Sequence, residues 1–165
     1  MPGEISLPVV ITIEREPFDS PAAVALLDEQ RAELIARYGF DAEPGTKPTA
    51  ADVSVFLVAR SGGAEPVGCG ALRALEPGLV EIKRMYVRPS SRGSGFAKRI
   101  LEALEDEARA LGATRVVLET GPAQPEAIGL YKRAGYREIP CFGAYAGEPL
   151  SRCFERFLPG SKDAP

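Results

Sequence analysis

The segment Arg92-Gly93-Ser94-Gly95-Phe96-Ala97, followed by Lys98, has the residue types and spacing best suited to holding a ligand. Small residues let backbone N–H groups come close to a bound oxygen. The segment opens an amphipathic stretch whose helix would carry a positive N-terminal end, so the two together form a site for phosphate oxygens. The dinucleotide fingerprint G-x-G-x-x-G is not met, because Lys98 stands where the third glycine belongs, and no G-x-x-x-x-G-K phosphate loop is present.

The elements around this turn must place it. Upstream, Val80 and Ile82 put apolar residues at even positions, whereas Met85 and Val87 put them at odd ones. A strand alternates with period two, so the parity switch predicts a β-bulge near Arg84. Pro89 cannot donate a ladder hydrogen bond and ends the strand. Downstream, a helix from Gly95 to Leu111 is expected to bury Phe96, Ile100, Leu101, Leu104, Ala108 and Leu111, with Gly112 as its stop.

The rest of the chain alternates strands and helices. Val9 to Glu14 reads as an opening strand, and Ser20-Pro21 starts a helix that runs to about Tyr38. Gly39 to Ala51 reads as a loop. Val53 to Arg60 and Pro66 to Ala74 form a hairpin around Ser61 to Glu65, and Glu76-Pro77-Gly78 is the next turn. Val116 to Leu118 is a strand core and Gln124 to Ala134 a helix. Tyr136 to Ile139 and Cys153 to Leu158 are the final strands, joined by an irregular connection, and the residues after Leu158 form a tail.

Composition narrows the function. A chain of 165 residues with 45% hydrophobic residues is read as one domain, 1–165, with its core at about 9–158. The net charge of −3 and the lack of a basic run speak against nucleic acid as a partner. No apolar stretch approaches a membrane span, and the N-terminus lacks signal-peptide features. Three cysteines, Cys69, Cys141 and Cys153, without CxxC spacing give neither a disulfide framework nor a zinc site. The absence of histidine removes His-based triads and most metal sites, so no metal is expected. The expected setting is the cytoplasm.

Two blocks together resemble the GNAT superfamily of acyl-CoA-dependent N-acyltransferases. The first is an Arg or Gln with Gly three positions on and Gly or Ala two further, met by Arg92, Gly95 and Ala97 after Val87-Arg88-Pro89. The second, N-x-x-A-x-x-x-Y-x-x-x-G followed by Phe or Tyr, is met from Gln124 through Ala127, Tyr131 and Gly135 to Tyr136, with Gln124 in place of the usual Asn. The resemblance covers Val53 to Tyr136. It implies an α/β fold with a mixed, centrally splayed sheet flanked by helices, and transfer of an acetyl group from acetyl-CoA to a primary amine in a ternary complex.

The resemblance also implies residue roles. Backbone N–H groups of Gly93, Ser94, Gly95, Phe96 and Ala97 would cradle the coenzyme A pyrophosphate, and Arg92 or Lys98 would add charge unless they are solvated surface groups. Backbone groups of Met85, Tyr86 and Val87 would pair with the pantetheine arm, and Gln124 would contact the cofactor. Tyr131 would be the general acid on the leaving thiolate, its pKa of about 10 keeping it protonated. The general base is open between Glu81, whose other reading is a cross-strand partner of Lys83 or Arg73, and Glu119 or an ordered water chain. Cys69, set between Gly68 and Gly70, reads as a small buried residue rather than an acetyl carrier. A small-molecule amine is the expected acceptor and a peptide amine the alternative, alongside a non-catalytic acyl-CoA sensor. Family members commonly form homodimers.

Overall fold

The computed structural model describes Gly3 and residues 10–159. The expected strand residue Val9 and the tail beyond Pro159 lie outside them. The elements in order are β1 (Ile11–Arg15), α1 (Pro21–Tyr38), β2 (Val55–Ser61), β3 (Glu65–Glu76), β4 (Leu79–Val87), α2 (Phe96–Ala110), β5 (Arg115–Thr120), α3 (Pro125–Arg133), β6 (Arg137–Ile139) and β7 (Arg152–Phe157). They form a seven-stranded mixed sheet in the order β1-β2-β3-β4-β5-β7-β6, in which only the β4–β5 pair is parallel. A parallel pair needs a long crossover, and α2 supplies it.

Local chemistry explains the boundaries. Ser20 caps α1, its Oγ accepting from the Ala23 N–H at 3.1 Å, and Pro21 occupies the first turn, where its missing donor is harmless. Gly39, at φ 81°, closes the helix in the left-handed conformation that glycine adopts without strain.

The sheet is covered on both faces. On one, Ile100, Leu101 and Leu104 of α2 pack on Val80, Ile82 and Leu118, with Phe154 of β7 beneath. On the other, Ala23 and Leu26 of α1 pack on Phe56, Val58, Cys69 and Tyr86. Leu111, expected to be buried, is 48% exposed because α2 ends at Ala110, and Phe96 is only partly buried against the core. A buried polar contact ties α2 to the far strands: the Tyr136 hydroxyl donates to Glu105 Oε2 at 2.9 Å, and Arg156 donates to the same oxygen at 2.6 Å. Among the described residues no helix is long and apolar enough to cross a membrane.

The parity switch in β4 has the expected cause. Cys69 pairs with Tyr86, but two residues on in β3 Ala71 pairs with Lys83, three residues back in β4, so Gly70 faces both Arg84 and Met85. Arg84 sits at φ 59°, the one described non-glycine residue at positive φ. Before it Val80 and Ile82 face α2; after it Tyr86 faces α1 and Val87 faces α2. Without the extra residue, Tyr86 would point into the α2 side and Val87 away from it.

Candidate active site

The bulge opens the sheet. Strands β4 and β5 pair from Leu79↔Arg115 to Ile82↔Leu118 and no further, although β4 continues to Val87 and β5 to Thr120. Buried backbone groups left without a strand need other partners. Three carbonyls in β4 have side-chain donors: Met85 O accepts from Gln30 Nε2 of α1 and Val87 O from Arg92 Nε, both at 2.9 Å, and Arg84 O accepts from the Cys69 thiol. A cavity of about 280 Å³ lies at the parted ends. Glu81, Lys83 and Met85 line it from β4, Glu119 from β5, and Gln124 and Tyr131 from the α3 region. Helix α1 and the loop after it close the other side.

The glycine turn sits at the head of α2. Gly93 and Gly95 have φ of 84° and 80°, and Gly95 is the N-cap residue, with no side chain accepting from the first turn. The opening N–H groups of a helix have no partner within it, so Phe96, Ala97 and Lys98 present donors at an exposed end. Ser94 is exposed beside them.

The charged side chains of this turn are not aimed at it. Arg92 grips both oxygens of Glu33 on α1, at 2.7 and 2.9 Å, and lies over the Tyr86 ring. Lys98 has a side chain 71% exposed and 3.9 Å from Glu102, a solvated pair one turn on. The donors this turn leaves open are therefore those of its backbone.

The two carboxylates singled out as bases sit in different surroundings. Glu81 is fully buried with both oxygens engaged: Oε1 accepts two bonds from Arg73, and Oε2 accepts from the Tyr145 hydroxyl at 2.8 Å. Its cross-strand reading with Arg73 is thus realised, with Lys83 Nζ farther off at 3.9 Å. Glu119 is half-buried on the cavity wall and, among the described residues, has no hydrogen-bond or ion-pair partner. Burial, with Glu43 and Glu81 nearby and Lys83 opposing, pushes its pKa up to about 7.

Tyr131 shares that cavity. It is buried, with its ring 5.7 Å from that of Tyr136, and burial followed by the Glu119 charge pushes its phenol well above the usual range. Gln124 is the N-cap residue of α3 but does not cap it; its amide lies 3.5 Å from the Tyr38 hydroxyl.

Sequence reasoning missed Tyr145, Gln30 and Tyr38. Tyr145 sits on a short 3₁₀ turn, Gly143–Tyr145, inside the irregular connection between β6 and β7. An aromatic residue among glycines and alanines was its sole signal. Lys83 was seen only as a partner for Glu81; it donates to the Tyr145 hydroxyl, and burial lowers its pKa. Cys69 is buried, its thiol donating to Arg84 O at 3.3 Å, and burial raises its pKa to about 12.

A mixed sheet parted between its only parallel strands, with a glycine-led helix end beside the gap, defines the acyl-CoA-dependent acyltransferase architecture. The sequence model of the Acetyltransferase (GNAT) family matches residues 13–136. The chain belongs to this family, whose members use acetyl-CoA, and its class of activity is acetyl transfer. It is 39% identical over 156 residues to an IAA acetyltransferase of Azospirillum brasilense, covering 90% of this chain and 98% of the relative. It is 32% identical over 138 residues to YjgM, an uncharacterized N-acetyltransferase of Escherichia coli, covering 73% and 78%. Among solved structures, a Klebsiella pneumoniae chain assigned to the acyl-CoA N-acyltransferases superposes with a TM-score of 0.79 at 34% identity, covering 90% and 98%. A GNAT family acetyltransferase from Elizabethkingia anophelis, solved with acetyl-CoA bound, shares the fold at a TM-score of 0.66 and 19% identity, covering 90% and 98%.

Proposed function

We propose that this enzyme acetylates a small primary amine by direct attack within one ternary complex, with Glu119 as general base and Tyr131 as general acid. The observation that carries this reading is the Glu119 carboxylate, without a partner among the described residues, sharing a cavity with buried Tyr131 at the parted ends of β4 and β5. The surroundings fit acetyl-CoA as cosubstrate. The uncapped N–H groups of Gly93 to Ala97 suit a pyrophosphate, and the edge of β4 beyond the β5 ladder, at Met85, Tyr86 and Val87, suits the amide groups of a pantetheine arm, which would displace Gln30 and Arg92 from the Met85 and Val87 carbonyls. Gln124 stands at the rim of the same gap.

In the reaction Glu119 accepts a proton from the acceptor ammonium and frees the nitrogen lone pair. A carboxyl group that titrates near 7 suits this at neutral pH. Backbone N–H groups after the bulge polarise the acetyl carbonyl as charge gathers on its oxygen. The new N–C bond replaces the C–S bond; Tyr131 gives its phenolic proton to the departing thiolate and takes back the second proton that the acylated nitrogen sheds, while the proton held by Glu119 passes to solvent. Glu81, already held by Arg73 and Tyr145, keeps the floor of the cavity in place instead of taking the proton. Buried Cys69, with its raised pKa, argues against an acetyl-cysteine route.

A cavity of about 280 Å³ suits a small amine better than a peptide segment. The cytoplasmic setting belongs to the same reading, in keeping with three free cysteines. The test combines a thermal scan with an amine screen. Acetyl-CoA at about 100 times its Kd adds ~2.7 kcal/mol, a rise of roughly 5 °C or more. Thiol release with at least one small amine supports the reading. No stabilisation at millimolar acetyl-CoA, or thiol release only with peptides, overturns it.

A further inference from the structure

A second cavity, of about 650 Å³, lies on the same side of the sheet as the acceptor cavity. Arg73, Leu79, Arg115 and Val117 form its floor, and the turn at Phe142 to Ala144 forms one wall. Two residues line both cavities, Tyr145 and Lys83. The Arg73–Glu81 ion pair crosses the same boundary, with Arg73 facing the second cavity and Glu81 the first.

Tyr145 is built to stay there. Its side chain is buried, and its ring meets Phe142 edge-on at 5.3 Å. Its hydroxyl accepts from Lys83 Nζ and donates to Glu81 Oε2, so both ends of its hydrogen-bonding capacity are filled. The Lys83 ammonium also lies 5.2 Å from the ring centre. Lys83 alone is a flexible stem that takes its position from these contacts; the aromatic ring is the rigid part of the boundary.

We propose that Tyr145 is the residue that limits acceptor size: its ring divides the acceptor cavity from the larger one, so that removing it lets bulky amines reach the site. This rests on reading the Glu119–Tyr131 cavity as the acceptor chamber. The ring does this by occupying space and the hydroxyl by anchoring the ring. Bulk, not hydrogen bonding, therefore sets the limit, and Tyr145→Phe keeps the wall while Tyr145→Ala removes it.

The experiment compares kcat/KM for n-propylamine and 4-phenylbutylamine in the wild type, Tyr145→Phe and Tyr145→Ala. The ratio of bulky to small should rise about tenfold in Tyr145→Ala, as expected when an apolar pocket gains room for a larger group. It should stay within about twofold in Tyr145→Phe, a split that a purely structural lesion would not give. Binding of dansylcadaverine to each protein saturated with coenzyme A, followed by fluorescence, needs no turnover and should tighten about tenfold in Tyr145→Ala alone. Tyr145→Val serves if the alanine variant does not melt cooperatively. If no amine is acetylated by the wild type, the proposed function falls, and the dansylcadaverine comparison alone decides the wall. Equal ratios and equal binding in all variants overturn it, as does an equal change in Tyr145→Phe.

Discussion

Arg73 donates two hydrogen bonds to a single oxygen of Glu81, from Nε at 3.0 Å and from Nη2, across the β3–β4 ladder. The other oxygen of Glu81 accepts from Tyr145, so both oxygens of this fully buried carboxylate are engaged within the fold. Removing the guanidinium leaves that carboxylate short of its main donor. Arg73→Met should lose about 2 kcal/mol, from the range for hydrogen bonds to charged groups, discounted because Arg73 is partly exposed. Urea unfolding measures it; an unchanged midpoint would show that the pair contributes nothing.

Glu119 should behave in the opposite way. Glu119→Gln should lower kcat about 100-fold and abolish the rise of kcat/KM with pH through about 7 that an ionising base produces. A variant that retains the full pH profile would return the base role to Glu81 or to water.

The same residue should link stability to pH. The folded carboxyl titrates near 7, raised from its ordinary 4.5 chiefly by burial. Between those values the folded state holds a proton that the unfolded chain has lost, so stability falls as pH rises through this window. Glu119→Gln should therefore melt higher than the wild type at pH 8 and at a similar temperature at pH 4. Melting curves at the two pH values check this; a lower melting point at pH 8 contradicts it.

Tyr131→Phe should reduce kcat about 100-fold while leaving stabilisation by acetyl-CoA intact, because the phenol contributes to proton transfer and not to the turn at α2. Pre-steady-state thiol release and a thermal scan separate the two effects. Unchanged turnover would remove Tyr131 from the mechanism.

Gly68 lets β3 pass close to β4 and α2. A Cβ there would meet Tyr86 O at 2.7 Å and Ile100 Cδ1 at 2.9 Å, and the carbonyl cannot move without breaking the ladder beside the bulge. Gly68→Ala should lose about 1–3 kcal/mol by overpacking, read from urea midpoints. A neutral effect would mean that the strand shifts freely.

The bulge, the glycine turn and α2 were legible in the sequence because each depends on local rules. A parity switch needs an extra residue, positive φ favours glycine, and a 3.6-residue apolar period needs a helix face. The Leu111 burial failed because periodicity does not show where a helix stops short of its neighbours. The identity of the free carboxylate was not legible at all. Glu81 and Glu119 look alike in one dimension, and only the packing of Arg73 and Tyr145 around one of them distinguishes an engaged carboxylate from an open one.

The sequence by itself determined the bulge in β4 and the glycine turn before α2, which follow from the alternation of side chains and the freedom of glycine, and the order of its two motif blocks carried the resemblance to the family. Tertiary structure decided the rest. Arg92, left open between a phosphate contact and a solvated surface group, is turned toward Glu33 on α1, and Tyr145 reaches Glu81 across 64 residues of chain. Contacts between distant segments leave no periodic trace in a sequence, because hydrogen bonds and burial are set by where the elements pack and not by the spacing along any one of them.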